Sequence, residues 1–154
     1  MNSLVVISRA EIMLQQATTP DETKQVESIT AAARAWAKEQ GDYEILVQAT
    51  KIYIMSRRRT TELVLPEIKH GGNRQGNSQV TLSDYGFTKM QWHRRVRELQ
   101  IEQEKIDEYF DECISKGWEP SLFDMTRKQL PSPVLVKHQD WCNTKLECNC
   151  GVTK

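Results

Sequence analysis

The sequence predicts an all-α protein. Apolar residues recur at intervals of three and four positions through most of the chain, and residues that favour helix starts and ends separate these stretches. One polar, glycine-rich segment, HGGNRQGNSQ, interrupts the pattern and is typical of a flexible linker. We therefore expect four regions: a long helical hairpin over residues 1–69, the linker over 70–79, a small helix-turn-helix-like region over 80–130, and an irregular, cysteine-containing tail over 131–154.

Three helices are expected in the hairpin region, over residues 8–17, 20–40 and 43–64. Thr19 and Pro20 suit the cap and the first position of the second helix. Gly41 should end that helix, and Asp42 should cap the third. Because only these two residues separate the helices, we expect them to pack antiparallel. The third helix is apolar on more than one face, which indicates burial against another helix or a second copy of the chain.

Residues 81–99, TLSDYGFTKMQWHRRVREL, are typical of a helix-turn-helix, with a short helix, a glycine turn and a second helix rich in arginine. Gly86 can adopt the left-handed conformation of such a turn without a Cβ clash. Thr88 and Gln91 have the spacing of a capping box, in which two side chains satisfy backbone donors at the helix start. The segment therefore predicts a helix that is presented by a tight turn.

This second helix should bury one face and expose the other. At about 100° per residue, one narrow arc collects the apolar side chains. The members of that buried arc are Trp92, Val96 and Leu99. On the outward side, Arg94, Arg97 and Gln91 are expected to read bases, because guanidinium and amide groups pair bidentately with guanine and adenine.

Further cations are expected to hold the phosphates of the same nucleic acid. They are Lys89, Arg95 and the cluster Arg57, Arg58 and Arg59. Two alternatives stay open at this point. The charged face is also compatible with the solvated side of an ordinary helical hairpin, and the arginine cluster with a helix end where cations complement the dipole.

The formal net charge is zero, but opposite charges are concentrated in separate blocks. Residues 51–99 contain ten basic and four acidic residues, a net charge of +6, whereas residues 100–130 contain four basic and eight acidic residues, a net charge of −4. Since binding to phosphates depends on local cation density, the basic block favours a nucleic-acid partner. The acidic block would repel DNA, so it should point away from it or bind something else.

Two more helices are expected after this segment. An amphipathic helix should cover residues 101–116 and end at Gly117, and a short final helix should cover residues 120–127. Three residues of the final helix are available for packing, namely Leu122, Phe123 and Met125. Together these helices should provide the apolar surface against which the helix-turn-helix-like segment packs.

The order of these elements resembles a group of small phage and prophage proteins of largely undefined function. The shared layout is a helical hairpin, RRRTTELVLPEIKHGGNRQG, TLSDYGFTKMQWHRRVREL, an acidic amphipathic helix and EPSLFDMTR, over about residues 10–127. The resemblance implies a protein of a mobile element in the bacterial cytoplasm, with a helix-turn-helix-like centre that suits gene control or the handling of phage DNA. The sequence departs from the group at Trp92, where the group tends to have a small residue, and in its tail.

The tail contains four side chains that can bind a metal, His138, Cys142, Cys148 and Cys150. Tetrahedral zinc takes such ligands, and a bound ion would order a segment of low apolar content. Since paired C-x2-C knuckles are missing, reduced thiols without metal are the alternative. No other cofactor is expected. No set of acid, base and nucleophile predicts an enzyme, although the carboxylates of the 101–116 helix leave a metal-dependent nuclease open.

The predicted function is binding of double-stranded DNA by a homodimer, because paired half-sites add the affinity that one small motif lacks. No stretch reaches the roughly 18 consecutive apolar residues of a membrane span, and no secretory leader is apparent. We therefore expect a protein of the bacterial cytoplasm without a membrane partner. The alternative is a phage factor that blocks or redirects a host protein through the acidic helix and the apolar third helix.

Overall fold

The computed structural model describes residues 3–68 and 80–129, which form six α-helices and no β-strand. The helices are α1 (Ser3–Gln16), α2 (Pro20–Gln40), α3 (Tyr43–Val64), α4 (Lys89–Leu99), α5 (Gln103–Lys116) and α6 (Leu122–Gln129). The all-α prediction is confirmed for this part of the chain. No helix in these two ranges is long and apolar enough to cross a membrane. The predictions of a linker at 70–79 and of a zinc site at His138, Cys142, Cys148 and Cys150 lie outside the described residues.

Capping interactions set the ends of α2 and the start of α3. The Glu22 N–H donates to Thr19 Oγ1 at 3.3 Å, and the Thr19 N–H donates to Glu22 Oε2 at 3.1 Å. Gly41 ends α2 with a φ of 69°. The Ile45 N–H then donates to Asp42 Oδ1 at 3.1 Å. Both helices therefore have the bounds that the sequence predicts.

α1 begins at Ser3, five positions before the predicted start at Ser8. Leu4 and Val5 extend the helix although their side chains are 53% and 60% exposed. Because these two residues lie off the buried stripe that begins with Ile7, hydrophobic periodicity did not reveal the first turn.

α2 and α3 run antiparallel. Thr60 Oγ1 of α3 lies 2.8 Å from Thr23 Oγ1 of α2, and Arg34 Nε donates to Thr50 Oγ1 at 2.9 Å, so residue numbers fall along one helix as they rise along the other. Buried hydroxyls such as that of Thr30 donate to a carbonyl one turn earlier and are satisfied. The apolar cluster that joins α1 to these helices contains Ile7, Ala10, Val26, Ala37, Ile45, Leu46, Ala49 and Ile52.

The second apolar face of α3 packs within the same chain. Val47 and Ile54 of α3 share a buried cluster with Ile106 and Phe110 of α5 and with Met125 of α6. Full burial of side chains of this size stabilises a fold by roughly 1.5–3 kcal/mol each. Of the two partners that the sequence left open for this face, the structure therefore supplies helices of the same chain.

Residues 82–86 form hydrogen-bonded turns where the sequence predicts a short helix. Asp84 explains the difference, because its carboxylate accepts from the N–H and the hydroxyl of Thr81, at 2.6 and 2.8 Å, and holds the chain in a local turn. So short a segment also gains little from helix formation, since nucleation is unfavourable. Gly86 has the predicted left-handed conformation, with a φ of 72°.

The helices after this turn follow the prediction with shifted ends. α4 starts with the predicted capping box, in which the Gln91 N–H donates to Thr88 Oγ1 at 3.2 Å and the Thr88 N–H donates to Gln91 Oε1 at 3.0 Å. α5 starts at Gln103 rather than at Ile101, whose side chain is buried in the core instead. Gly117 ends α5 as predicted, with a φ of 64°.

Candidate nucleic-acid interface

α4 buries a different stripe from the predicted one. Trp92 is buried as expected, but Arg95 and Glu98 are the other buried residues of the helix. Val96 and Leu99, which were expected on the buried side, are only half-buried. The buried line therefore follows positions 92, 95 and 98, and it carries one positive and one negative side chain into the protein.

Arg95 pairs with Glu27 of α2 through two hydrogen bonds. Its Nη1 donates to Glu27 Oε1 at 2.9 Å and its Nη2 donates to Glu27 Oε2 at 2.7 Å. The two side chains are only 8% and 12% exposed. The guanidinium also lies 4.6 Å from the centre of the Phe87 ring, a distance suited to a cation–π contact. Arg95 is thus enclosed by a carboxylate and an aromatic ring.

Arg57 of α3 pairs with Glu98 of α4 in the same bidentate manner. Arg57 Nε and Nη2 donate to the two carboxylate oxygens at 3.1 and 2.8 Å. Burial alone would lower the pKa of Arg57, but the hydrogen bonds and charge of Glu98, with a smaller contribution from Tyr53, raise it above its ordinary value. Arg57 therefore stays charged, and the pair joins α3 to α4.

The neighbours of Arg57 differ in their surroundings. Arg58 Nη1 donates to the backbone carbonyl of Glu98 at 2.5 Å, and burial lowers the pKa of Arg58. Arg59 is exposed and lies 3.4 Å from Glu62 in a surface pair. Of the three-arginine cluster, two members therefore hold α4 against α3 and one faces solvent.

These contacts correct the predicted set of phosphate-binding residues. Arg57 and Arg95 each make a bidentate pair inside the protein, and Arg58 caps a backbone carbonyl. Arg57 or Arg95 could bind a phosphate only by leaving its buried carboxylate without a partner, which is costly. The sequence prediction differs from the structure because a guanidinium makes the same bidentate hydrogen bonds to an internal carboxylate as to a phosphate.

The outward side of α4 retains the other predicted cations. Lys89 and Arg94 are exposed, and Arg97 is half-buried. Within residues 3–68 and 80–129, none of the three has a carboxylate within ion-pair distance. Arg94 lies 3.6 Å from Met90 Sδ, which is a weak contact. We call Lys89, Arg94 and Arg97 the α4 cationic face.

Gln91 is exposed beside this face but already has a structural role. Its Oε1 accepts from the Thr88 N–H in the capping box. Bidentate recognition of adenine needs both the oxygen and the nitrogen of the amide in one orientation. Gln91 would therefore have to leave the cap in order to read a base as predicted.

A half-open cleft of about 630 Å³ lies beside the α4 cationic face. Gly86, Arg94 and Arg97 line it from the turn and α4, and Phe123 and Thr126 line it from α6. The Phe123 ring is 69% exposed. Sequence analysis assigned Phe123 to packing and therefore missed its position next to the arginines. No signal in the sequence distinguishes it from Met125, the neighbour that is buried.

The acidic helix α5 does not neutralise this face. Its long-range ion pairs, among the described residues, join Asp107 to Lys51 at 2.6 Å and Glu112 to Lys128 at 3.1 Å. The hydrogen bond with Lys51 lowers the pKa of Asp107, and hydrogen bonds with Lys116 and Lys128 lower the pKa of Glu112. Two of the five acidic side chains of α5, Asp107 and Glu112, are thus paired with lysines of α3, α5 and α6.

No protein-family model matches the chain, and neither a curated protein nor a solved structure matches it. The chemistry of the chain's own side chains is therefore what indicates its function. The most informative feature is the contrast between two neighbouring residues of α4: Arg95 is buried in an ion pair, whereas Arg94 is exposed.

Proposed function

We propose that this chain is a DNA-binding protein of a phage or another mobile element, which acts in the bacterial cytoplasm and contacts DNA through the α4 cationic face. One observation carries the proposal: Lys89, Arg94 and Arg97 have no carboxylate partner among the described residues. Six other surface cations do have one, namely Lys38, Lys51, Arg59, Lys105, Lys116 and Lys128. Arg9, Lys24, Arg34 and Arg127 also have no carboxylate partner among the described residues, but they are spread over α1, α2 and α6, whereas α4 groups three such cations on one short helix. The resemblance of the sequence to small phage proteins supports the origin.

The chemistry of this face suits DNA. Neutralisation of phosphates by lysine and arginine releases counterions, so unpaired cations grouped on one helix favour binding to a polyanion. Arg94 and Arg97 also have the fork geometry that recognises guanine. In this proposal, α4 is the contacting helix of a helix-turn-helix-like unit. The two buried ion pairs of Arg95 and Glu98 fix its orientation.

A homodimer would place two such faces on one DNA molecule. Exposed apolar side chains of α1 support this part of the proposal, because Leu4, Val5 and Ile12 are each more than half exposed, at 53%, 60% and 53%. Sedimentation equilibrium should give twice the chain mass, and Val5→Asp with Ile12→Asp should return the monomer. A monomeric mass for the unmodified chain at micromolar concentration would contradict the dimer.

Fluorescence polarisation with a labelled duplex that carries a single-stranded tail tests DNA binding. The dissociation constant should rise steeply between low and moderate salt. The Arg94→Ala, Arg97→Ala variant should lose about tenfold or more in affinity, with a shallower dependence on salt. Lys38→Ala with Lys105→Ala is the matched control, because it removes two exposed cations elsewhere. Absence of salt-dependent binding, or equal losses in both variants, would overturn the proposal.

A second candidate function is a factor that binds a host protein. The third helix cannot supply its surface as the sequence suggested, because the second face of α3 is buried. Two exposed apolar side chains favour this candidate instead, because they offer a surface for a protein partner. They are Ile114 of the acidic helix α5, which is 57% exposed, and the neighbouring Trp118. A complex with a host protein that survives Arg94→Ala, Arg97→Ala but is lost in Ile114→Asp would support it.

A further inference from the structure

The cleft beside the α4 cationic face has two walls of different chemistry. One wall contains Arg94 and Arg97 of α4, and the other contains Phe123 and Thr126 of α6. The cleft thus combines guanidinium groups with an exposed aromatic ring. Its volume of about 630 Å³ lies within the range of roughly 300–1,000 Å³ in which proteins bind small organic groups.

The position of α6 limits how a duplex can approach these arginines. The major groove is about 12 Å wide, little more than the roughly 10–12 Å diameter of one helix with its side chains. A helix that enters the groove therefore needs both flanks clear. Since Phe123 and Thr126 line the same cleft as Arg94 and Arg97, α4 is flanked by a second helix at the two arginines. An unpaired strand is narrower than a duplex, so α6 restricts its approach less.

Phe123 is suited to stacking rather than to the core. Its ring is 69% exposed, whereas Met125 of the same short helix is fully buried and attaches α6 to α3 and α5. Aromatic rings that lie next to a cationic groove are the usual means of binding single-stranded nucleic acid, because every base has a face that can stack. The ring therefore offers a surface that protein stability does not require.

The acidic group in the cleft does not oppose an anionic ligand. Glu98 lines the cleft together with Arg57, and its two carboxylate oxygens accept hydrogen bonds from Arg57 at 3.1 and 2.8 Å. The negative charge is thus compensated within the protein. Arg94 and Arg97 are then the uncompensated charges of the cleft among the described residues.

We infer that this cleft binds an unpaired DNA strand, with its phosphates at Arg94 and Arg97 and one base stacked on Phe123. The inference rests on the proposed DNA-binding function, specifies the form of DNA that the site prefers, and assigns Arg94 and Arg97 to phosphates instead of guanine edges. It predicts that bases are held mainly through their faces. Sequence selectivity should accordingly be modest, and affinity should depend on strand separation.

Three labelled probes of one mixed sequence test the inference with the full chain: a single strand that cannot fold back, its blunt duplex, and the duplex with a single-stranded tail. At one salt concentration, the single strand should bind about tenfold or more tightly than the blunt duplex. Phe123→Ala should weaken binding of the single strand by about fivefold or more, with little change in the salt slope. Phe123→Trp should retain affinity.

Ile114→Ala is the matched control, because Ile114 is also a large, exposed apolar residue but belongs to α5. Equal binding of the single strand by Phe123→Ala and Ile114→Ala would overturn the inference. Blunt-duplex binding as tight as that of the single strand would also overturn it and would leave the proposed function intact. Failure of all three probes to bind would overturn both.

Discussion

Arg95 of α4 donates two hydrogen bonds to Glu27 of α2, at 2.9 and 2.7 Å, while Arg94, its neighbour in sequence, is exposed. Successive helix positions are rotated by about 100°, so two identical side chains face different surroundings. One guanidinium attaches α4 to the rest of the protein, and the other extends into solvent beside the cleft. The orientation of the candidate interface therefore depends on this ion pair.

Replacement of Arg95 by methionine should destabilise the protein strongly. The Glu27 carboxylate, 12% exposed, would lose its partner, and breaking a buried pair on one side typically costs about 3–5 kcal/mol. Urea unfolding followed by circular dichroism measures the loss. The expected result is a lower midpoint with a similar slope.

Two further variants identify the cause of this loss. Glu27→Gln combined with Arg95→Met should be more stable than the sum of the single changes predicts, because it leaves no charge without a partner. Lys38→Ala, which breaks an exposed pair with Glu119, should change stability by about 0–1 kcal/mol. Strict additivity of the two buried changes would contradict the assigned interaction.

Gly86→Ala should destabilise the turn before α4. Its φ of 72° costs a residue with a Cβ about 1–2 kcal/mol. A Cβ at this position would meet no atom within 4 Å, so the cost is conformational rather than steric. Gly86→Asn should therefore cost less, because asparagine tolerates this conformation better than alanine. Chemical denaturation of both variants checks the order, and a more stable alanine variant would contradict it.

Met125→Ala should lower stability much more than Phe123→Ala, although both variants truncate a large apolar residue of α6. Met125 is fully buried, so its truncation should cost about 2–5 kcal/mol. Phe123 is mostly exposed, so its truncation should change stability by no more than about 0.5 kcal/mol. Thermal unfolding of both variants tests this contrast. A large loss in Phe123→Ala would mean that the ring supports the fold.

Tyr109 should lose its proton at a higher pH than an ordinary tyrosine. Burial raises its pKa to about 12 from an ordinary value of 10.0, although its hydrogen bond with Ser121 acts in the opposite direction. Because the folded state favours the neutral phenol, this contribution to stability is complete below pH 10.0 and is lost as the pH rises through about 12. Ultraviolet titration of tyrosinate should show one group that ionises at high pH, and Tyr109→Phe should remove it. An unchanged titration curve would contradict the assignment.

Sequence analysis located the helix ends where a local signal exists. Thr19, Thr88 and Gly117 act as predicted, since each interacts with backbone groups within a few residues along the chain. It was wrong where exposed apolar residues extend α1 and where the carboxylate of Asp84 holds a turn in place of a helix. In both cases the hydrophobic pattern is a weak guide, because little side-chain surface is buried.

The candidate site was predicted in part. The turn at Gly86 and the exposed cations Lys89 and Arg94 agree with the sequence prediction. The roles of Arg57 and Arg95 do not, because their partners are distant in sequence: Glu98 is 41 positions from Arg57, and Glu27 is 68 positions from Arg95. Phe123 was missed because exposure within a short amphipathic helix depends on which neighbours cover it.

The sequence by itself determined the all-α class and most helix ends, since hydrophobic periodicity and capping act over a few residues. Only the tertiary structure decided which arginines of α4 turn inward. Buried carboxylates on α2 and α4 must find cationic partners, and the nearest guanidinium groups in space supply them. The cations left outside this pairing form the α4 cationic face, and the packing of α6 beside it forms the cleft.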